Sequence, residues 1–333
     1  MVADAAPAID EDRSLGIALS VVIPVHNEEE SLRAVYDRTT GVLAGMQRDY
    51  EIICVNDGST DASAAVLDGL AENDPRVKVI HFQRNFGQTA ALMAGFDHAL
   101  GDVVVTMDAD LQNDPADIPL LLAALDQGFD VCSGWRKERK DPLLTRVLLS
   151  RAANSLVSFL FGVWLNDYGC TLKAYRRRVL QDLRLYGEMH RFIPVYTAAA
   201  GARIGEVVVS HSERRHGKSK YGLSRVVKVV LDLILLKFLL SYGQRPLYVF
   251  GGFGLLSLCG SLAVFCLMLY YKFWGDKSFV ETPLPMLVVL LFLMGALSIL
   301  MGLMAEVLMR TYYESQGKPG YRVRAVRNLN EAK

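Results

Sequence analysis

Short apolar runs alternate with stretches of helical periodicity over the first 135 residues of the chain. The apolar runs are rich in β-branched residues and predict strands at residues 19–25, 50–56, 77–82, 102–107 and 130–134. Between them, apolar positions recur with helical spacing at residues 29–43, 62–70, 88–99 and 117–127. Because strands that alternate with helices form mostly parallel sheets, the pattern predicts an α/β fold of the Rossmann-like type.

Two much longer apolar runs lie near the C-terminus, at residues 247–271 and 282–305, and neither contains a charged residue. As helices, both reach roughly 35 Å, which is enough to cross a hydrocarbon core of about 30 Å. Basic residues flank the pair on its outer sides, so the positive-inside rule places both chain termini in the cytoplasm. We therefore expect a two-helix transmembrane hairpin at residues 246–306.

Two further segments, at residues 143–165 and 221–242, are apolar with isolated charges. This pattern is typical of amphipathic helices that lie along a membrane interface, and ordinary core helices are the alternative. The sequence thus predicts five parts in order: a disordered acidic tail at 1–16, a cytoplasmic domain at 17–222, an interface helix at 223–245, the hairpin at 246–306, and a basic cytoplasmic tail at 307–333.

The formal net charge of zero hides a strong asymmetry along the chain. Residues 1–135 hold 23 acidic and 7 basic residues, a net charge of −16, and residues 136–333 hold 13 acidic and 29 basic ones, a net charge of +16. A basic half that contains the apolar spans suits anionic headgroups or a lipid phosphate, so membrane lipids are expected partners. The acidic half argues against nucleic acid as a partner.

Polar residues follow the predicted strands where ligands bind in parallel sheets, outside the carboxyl ends. They are Asn27 and Glu28, Asp57, Asn85, Asp108 and Asp110, and Arg136. Asp108 and Asp110 are two positions apart just beyond the fourth strand, so their carboxylates can turn toward one point. Carboxylate oxygens suit Mg²⁺ or Mn²⁺, ions that also bind phosphate oxygens. A solvated turn is the alternative reading of the two acidic residues alone.

Four motifs resemble the signature set of the family 2 glycosyltransferases with the GT-A fold: VIPVHNEE at 22–29, VNDGSTD at 55–61, NFGQ at 85–88 and DADLQ at 108–112. Residues 167–177 and 213–221, together with the two spans, are similar to polyprenyl-phosphate glycosyltransferases. Within that group the nearest resemblance is to the bacterial undecaprenyl-phosphate enzymes for 4-deoxy-4-formamido-L-arabinose and for glucose. The resemblance covers about residues 18–322.

The resemblance implies roles for individual residues. Pro24, Glu28 and Asp57 would line the nucleoside pocket. Asp108 and Asp110 would bind the metal and the diphosphate, and Gln112 would lie near the sugar or the metal. Arg136 looks like the family's basic residue after the fifth strand. The residues implied to face the lipid phosphate or the donor diphosphate are Lys173, Arg214, Arg215, Lys218 and Lys220.

Two positions leave open questions at this level. For Asp167, the resemblance leaves open the role of a base, as in other members of the wider family. We favour an orienting or electrostatic role here, because a phosphate monoester has a second pKa of about 6 and is mostly dianionic near pH 7. Relatives often have Asp-Pro or Pro-Pro directly after Leu-Gln, whereas this chain has Asn113-Asp114-Pro115, so a metal role for Asp114 is left open.

The predicted activity is inverting transfer of a sugar from a nucleotide sugar, preferably a UDP-sugar, to undecaprenyl phosphate. This reaction would serve lipid A or O-antigen modification in lipopolysaccharide biosynthesis, at the bacterial inner membrane. A GDP-mannose donor, as in dolichol-phosphate-mannose synthases, is one alternative. Others are a processive polysaccharide synthase, which usually has more spans and a Gln-x-x-Arg-Trp motif, and a nucleotide-sugar-binding protein without turnover. Relatives suggest a homo-oligomer such as a tetramer.

Overall fold

The computed structural model describes residues 17–137, 154–155, 157–181, 183, 185, 189–212, 246–275, 278–314 and 321–329. The chain divides into two compact units, one formed by residues 1–232 with 320–333 and the other by residues 233–319. Several predicted features lie outside the described residues: the tail at 1–16, the interface helix at 223–245, most of the first half of the segment 143–165, and Arg214, Arg215, Lys218 and Lys220.

The first unit is built on one sheet, whose described strands are β1 (Leu19–Val25), β2 (Tyr50–Asn56), β3 (Val77–Phe82), β4 (Val103–Thr106), β5 (Val131–Trp135), β6 (Lys173–Arg176), β7 (Ile204–Val208) and β8 (Val323–Arg327). Their order across the sheet is β7-β5-β6-β4-β1-β2-β3-β8. Strands β1 to β4 pair in parallel, and β5 pairs in parallel with β7. Strands β6 and β8 are antiparallel to their neighbours, so the predicted mostly parallel α/β sheet is confirmed.

The helices of this unit cover the sheet: α1 (Leu32–Gly45), α2 (Ser63–Asn73), α3 (Gln88–His98), α4 (Ile118–Asp126) and α5 (Ile193–Ala199). Val21 and Ile23 of β1 share a buried core with Leu67 of α2. Helix α3 also packs closely on β1, since a Cβ atom on Gly95 would lie 2.2 Å from Val22 Cγ1. Burial on both faces explains why β1 to β3 read as nearly continuous apolar runs.

The sequence pattern did not predict β6, β7 or β8. Strand β8 lies within residues 307–333, which were predicted only as a basic tail, and it pairs with β3 at the edge of the sheet. Its sequence, VRAVR, places exposed charges on an edge strand, which is how proteins discourage further strand pairing. Such short, charged strands carry little periodic signal of their own.

The second unit contains two long helices, α6 (Pro246–Trp274) and α7 (Leu284–Glu314). Their segments Leu247–Trp274 and Leu284–Ala305 have mean hydropathies of 2.1 and 2.7, and most of their surface is exposed. Both segments are long and apolar enough to cross a membrane. Ser261 Oγ donates a hydrogen bond to Val288 O, and a Cβ on Gly254 would lie 2.8 Å from Gly295 O. The helices therefore pack antiparallel through small residues, as membrane helices do.

Candidate active site

The loops that follow β1 and β2 are joined by backbone hydrogen bonds to polar side chains. Asn27 Oδ1 accepts from Thr60 N at 2.8 Å, and Asn27 N donates to Ser59 Oγ at 3.0 Å. Glu28 N donates to Ser63 Oγ at 3.0 Å. Asn27 has a φ of 58°, in the left-handed region that Asn tolerates better than most residues. The two sequence motifs thus form one continuous rim at the carboxyl end of the sheet.

Asp57 connects this rim to the loop after β3. Its buried carboxylate accepts hydrogen bonds from Phe86 N at 2.6 Å and from Gly87 N at 2.9 Å. The neighbouring Gly58 has a φ of 61°, and a Cβ there would lie 2.3 Å from the carbonyl carbon of Arg84. Glycine is therefore required at position 58 by both conformation and space. Asp57 thus holds together the two loops that are predicted to lie at the nucleoside pocket.

Pro24 and Glu28 lie at the same end of β1. Pro24 is half-buried and pairs in register with Val55, beyond the last pairing of β1 with β4 at Val22. A proline is tolerated there because its missing N–H leaves no ladder hydrogen bond unmade on the β4 side. Glu28 Oε2 accepts a hydrogen bond from Ser31 Oγ at 3.2 Å. Both residues thus border the rim formed by the first two loops.

The predicted metal-binding turn follows β4 directly. Asp108 Oδ1 accepts a hydrogen bond from Gln88 Nε2, at the first residue of α3, at 2.8 Å. Asp110 Oδ1 accepts from Gln112 N at 3.1 Å, and Leu111 between them has a φ of 62°. Burial, and secondly the Asp110 carboxylate, raise the pKa of Asp108 to about 7. Two carboxylates are therefore held close enough to repel each other.

The carboxylate oxygens of this turn are suitable ligands for a hard divalent cation that is bound together with phosphate. Among the described residues, no group of three or more His, Cys, Asp or Glu side chains is placed to hold a metal. Mg²⁺ in particular is usually bound through one or two carboxylates, with water and substrate phosphates completing the coordination. A cation between Asp108 and Asp110 would also relieve the repulsion that raises the pKa of Asp108.

Asp167 and Arg136 form a bidentate ion pair. Arg136 Nε donates to Asp167 Oδ2 at 2.7 Å and Nη2 donates to Oδ1 at 3.1 Å, with only 12% and 5% of the two side chains exposed. Gly169 N also donates to Asp167 Oδ1, and Asp167 N donates to Glu206 Oε1 on β7. A carboxylate held by a guanidinium in this way is well placed to orient that guanidinium and poorly placed to accept a proton.

Lys173, which the resemblance assigns to the lipid phosphate or the donor diphosphate, is a buried residue of the sheet. It is 3% exposed on β6, and its Nζ donates to the carbonyl oxygen of Tyr168 at 3.2 Å. The ammonium is thus enclosed by protein. Burial lowers the pKa of Lys173 to about 8. Lys173 pairs in register with Thr106, two residues before Asp108, so it supports the site from inside the sheet.

The residues that follow β7 are hydrogen-bonded to the predicted metal-binding turn. Ser212 N donates to Gln112 O at 3.0 Å, and His211 forms a β-bridge with Asn113. Asn113 Nδ2 in turn donates to Thr171 Oγ1 at 2.7 Å. Ser212, which directly precedes the predicted phosphate-binding segment in the sequence, therefore lies beside this turn. The four basic residues predicted to bind phosphate lie outside the described part of the chain: Arg214, Arg215, Lys218 and Lys220.

Sequence reasoning missed several residues that hold the site together. Gln88 belongs to the NFGQ motif, so its position in that motif was an available signal. Glu206 lies in a strand that was not predicted, and Thr171 precedes another. Asp114 Oδ1 accepts from Ala116 N at 3.1 Å and so caps the short 3-10 turn that follows, a local role that needs no metal.

The sheet order agrees with the GT-A fold that the sequence resembles. The fold resembles a solved glucosyl-3-phosphoglycerate synthase from Mycobacterium tuberculosis in complex with Mn²⁺, UDP and phosphoglyceric acid, with a TM-score of 0.51 and 20% identity over 67% of this chain and 78% of that one. Residues 20–184 match the family described as Glycosyl transferase family 2. The chain belongs to this family.

Relatives align with nearly the whole chain. The dodecaprenyl-phosphate galacturonate synthase of Rhizobium johnstonii is 41% identical over 321 residues, which cover 93% of each chain. The undecaprenyl-phosphate 4-deoxy-4-formamido-L-arabinose transferase of Edwardsiella ictaluri is 38% identical over 314 residues, which cover 94% of this chain and 95% of the relative. Both alignments extend far beyond residue 184, so the similarity includes the C-terminal helices.

Proposed function

We propose that the protein transfers a sugar from a nucleotide sugar, preferably a UDP-sugar, to undecaprenyl phosphate or a polyprenyl phosphate of similar length. The observation that carries this proposal is the hydrogen bond from Ser212 N to Gln112 O, because Ser212 directly precedes the basic segment in the sequence and Gln112 belongs to the carboxylate turn. Cation-binding and phosphate-binding groups would then meet at one edge of the sheet. Relatives named for sugar transfer to polyprenyl phosphates support the same acceptor class.

The donor side of the reaction rests on Asp108 and Asp110. These carboxylates would hold Mg²⁺ or Mn²⁺, and the bound ion would neutralise negative charge on the leaving diphosphate. Gln88 keeps the Asp108 carboxylate oriented through its 2.8 Å hydrogen bond. The Asp57 contacts with Phe86 and Gly87 would hold the nucleoside loops in shape.

The acceptor side needs no general base. One oxygen of the dianionic lipid phosphate forms the new bond to the anomeric carbon. The bond from that carbon to the diphosphate oxygen breaks, and the nucleoside diphosphate leaves with the electron pair. In-line attack inverts the anomeric centre. Asp167 holds the Arg136 guanidinium toward the anions through two hydrogen bonds, and Arg214, Arg215, Lys218 and Lys220 would offset the repulsion between the two phosphates.

The proposed location is the cytoplasmic membrane of a bacterium, with two spans and with the catalytic unit and both termini in the cytoplasm. The basic residues that flank α6 and α7 support this orientation. The lipid-linked sugar would then serve envelope modification of lipid A or O-antigen. Assembly into a homo-oligomer such as a tetramer is part of the same proposal.

The decisive experiment is a donor panel with the full chain in liposomes that contain undecaprenyl phosphate and Mg²⁺ or Mn²⁺. UDP-galacturonate, UDP-4-deoxy-4-formamido-L-arabinose, UDP-glucose and GDP-mannose are offered separately, and lipid products are read by mass spectrometry. We expect a lipid phosphate with one sugar from a UDP donor. A product only from GDP-mannose would replace the donor assignment, a polymer would indicate a processive synthase, and no product from any donor would refute transfer.

A further inference from the structure

A chain of polar contacts connects the C-terminal strand β8 to the loop at the end of β2. Arg327 Nε lies 3.0 Å from Asp68 Oδ1, which lies 3.2 Å from His81 Nε2. His81 Nδ1 lies 3.0 Å from Asn56 Nδ2, and Asn56 Oδ1 accepts from Ser59 N at 2.9 Å. The contacts cross four elements, from β8 through α2 and β3 to β2. They end at residues 56–59, named here the donor loop.

Each group along this chain has one hydrogen-bonding role. Because Ser59 N–H donates to Asn56 Oδ1, the amide presents its NH₂ group to His81. His81 Nδ1 must then accept, so the imidazole carries its proton on Nε2 and donates to Asp68. His81 and Asn56 are 7% and 4% exposed, so water cannot easily replace a lost partner. The orientation of the Asn56 amide therefore depends on His81 and on Asp68 behind it.

The strand that supplies Arg327 is fixed at both of its ends. At the start, Tyr321 stacks on Phe82 with ring centroids 5.0 Å apart, and its hydroxyl donates to Asp97 at 2.9 Å. At the end, Asn328 Nδ2 donates to Ala71 O at 2.7 Å, near the end of α2. Strand β8 is thus a firmly held part of the first unit, although in sequence it follows the helices of the second.

Asp57, the residue next to Asn56, links the donor loop to the rest of the site. Asp57 holds the loop after β3 through Phe86 N and Gly87 N, and Gly58 packs against the backbone of Arg84. A shift of Asn56 would move these contacts together. Resting on the proposed function, which places a nucleoside at this loop, we propose that Asp68, His81 and Arg327 are positioning residues for donor binding, and that β8 supports the donor site.

The test measures donor and acceptor kinetics separately for the full chain in liposomes. His81→Phe keeps a ring of similar size without its nitrogens, and Asp68→Ala removes the acceptor behind it. We expect both to raise the donor KM about five- to twentyfold, with kcat and the acceptor KM within about twofold of the wild type. Asp68→Asn, which can still accept from His81 Nε2–H, should restore the donor KM to within about threefold. Arg327→Ala should have a smaller effect, because that side chain is 48% exposed.

Arg324→Ala is the matched control, since Arg324 is an exposed arginine of the same strand without a hydrogen bond or ion pair to any described residue. Binding of UDP alone, measured by calorimetry, separates the two proposals. A wild type that binds no UDP would refute the donor assignment and this inference with it. If the wild type binds UDP and the His81→Phe and Asp68→Ala variants bind it with the same affinity, this inference alone is overturned. A lower kcat with both KM values raised to a similar extent, together with a lower Tm, would also overturn it.

Discussion

The two sides of the site carry charges of opposite sign, and burial acts on both of them. On the β4 side, two carboxylates repel each other, and burial together with Asp110 raises the pKa of Asp108 to about 7. On the β5–β6 side, burial lowers the pKa of Lys173 to about 8, and Arg136 is paired with Asp167. Burial is the first cause of both pKa shifts, and in each case it disfavours the charged form.

This comparison shows which charges the fold neutralises by itself. The Arg136–Asp167 pair is internally compensated by two hydrogen bonds. Asp108 and Asp110 carry like charges that repel each other, and Lys173 donates to a carbonyl oxygen and forms no ion pair among the described residues. A cation at the two carboxylates would relieve their mutual repulsion. The Lys173 ammonium, by contrast, is enclosed by protein.

Loss of a carboxylate on the β4 side should lower the rate of sugar transfer more than any other change proposed here. Asp108→Asn removes the charge that would hold the cation, and we expect transfer to fall by about 10²–10³-fold or more. The rate should be measured across a Mn²⁺ titration, because the variant should also need more metal. Asp114→Asn is the matched control, since Asn still caps the following 3-10 turn and should leave the rate near the wild-type value. Full activity of Asp108→Asn would refute the metal assignment.

Breaking the compensated pair should have the next largest effect. Asp167→Asn keeps one acceptor for Arg136 but loses the bidentate ion pair, and we expect kcat to fall by about 10–100-fold. If Asp167 orients Arg136, the residual rate should still rise with pH near about 6, where the acceptor phosphate loses its second proton. Disappearance of that pH dependence would instead identify Asp167 as the base. Asp130→Asn is the control, because Asp130 pairs with the exposed Arg178 at the start of β5.

The basic segment after β7 allows a third test on the acceptor side. Arg215→Ala and Lys218→Ala should each raise the acceptor KM by about tenfold, because a charge-assisted contact to phosphate is lost. The donor KM should change by less than about twofold. Kinetics with varied undecaprenyl phosphate at fixed donor would check this. An unchanged acceptor KM would contradict the assignment of the segment to the lipid phosphate.

The sequence predicted the parts of the fold that depend on local pattern. Strands β1 to β5 were predicted to within one residue at each end, because burial on both faces produces continuous apolar runs. Strand β6 has the sequence KAYR, and its identity as a strand depends on insertion between β4 and β5. Strand β8 similarly depends on pairing with β3, about 240 residues earlier in the chain. The local pattern of apolar and polar residues holds no information about either of these long-range pairings.

The site shows the same division between local and long-range information. Asp57, Asp108, Asp110 and Arg136 follow predicted strands, so the parallel sheet alone brings them to one edge. The burial of Lys173 and the hydrogen bond from Gln88 to Asp108 could not be predicted in this way. The first depends on where β6 enters the sheet, and the second on how α3 packs beside β4.

Two lysines in the described strands, one buried and one mostly buried, allow the test with the smallest expected effect. Lys173 donates to a carbonyl, whereas Lys78 on β3, with 11% of its side chain exposed, pairs with the buried carboxylate of Glu51. Lys173→Met should therefore keep or raise the free energy of unfolding at pH 7, by about 1 kcal/mol, because it removes a buried uncompensated charge. Lys78→Met should lower it by about 3–5 kcal/mol, because it leaves the Glu51 carboxylate unpaired.

The pH dependence of this difference follows from the lowered pKa of Lys173. Between pH 8 and about 10.5 the unfolded chain binds more protons at this residue than the folded chain does, so wild-type stability gains from rising pH in that window. The advantage of Lys173→Met should accordingly shrink from pH 7 to pH 9.5 in thermal unfolding of the detergent-solubilised protein. If Lys173→Met instead destabilised the protein as strongly as Lys78→Met, the Lys173 charge would be stabilising the fold.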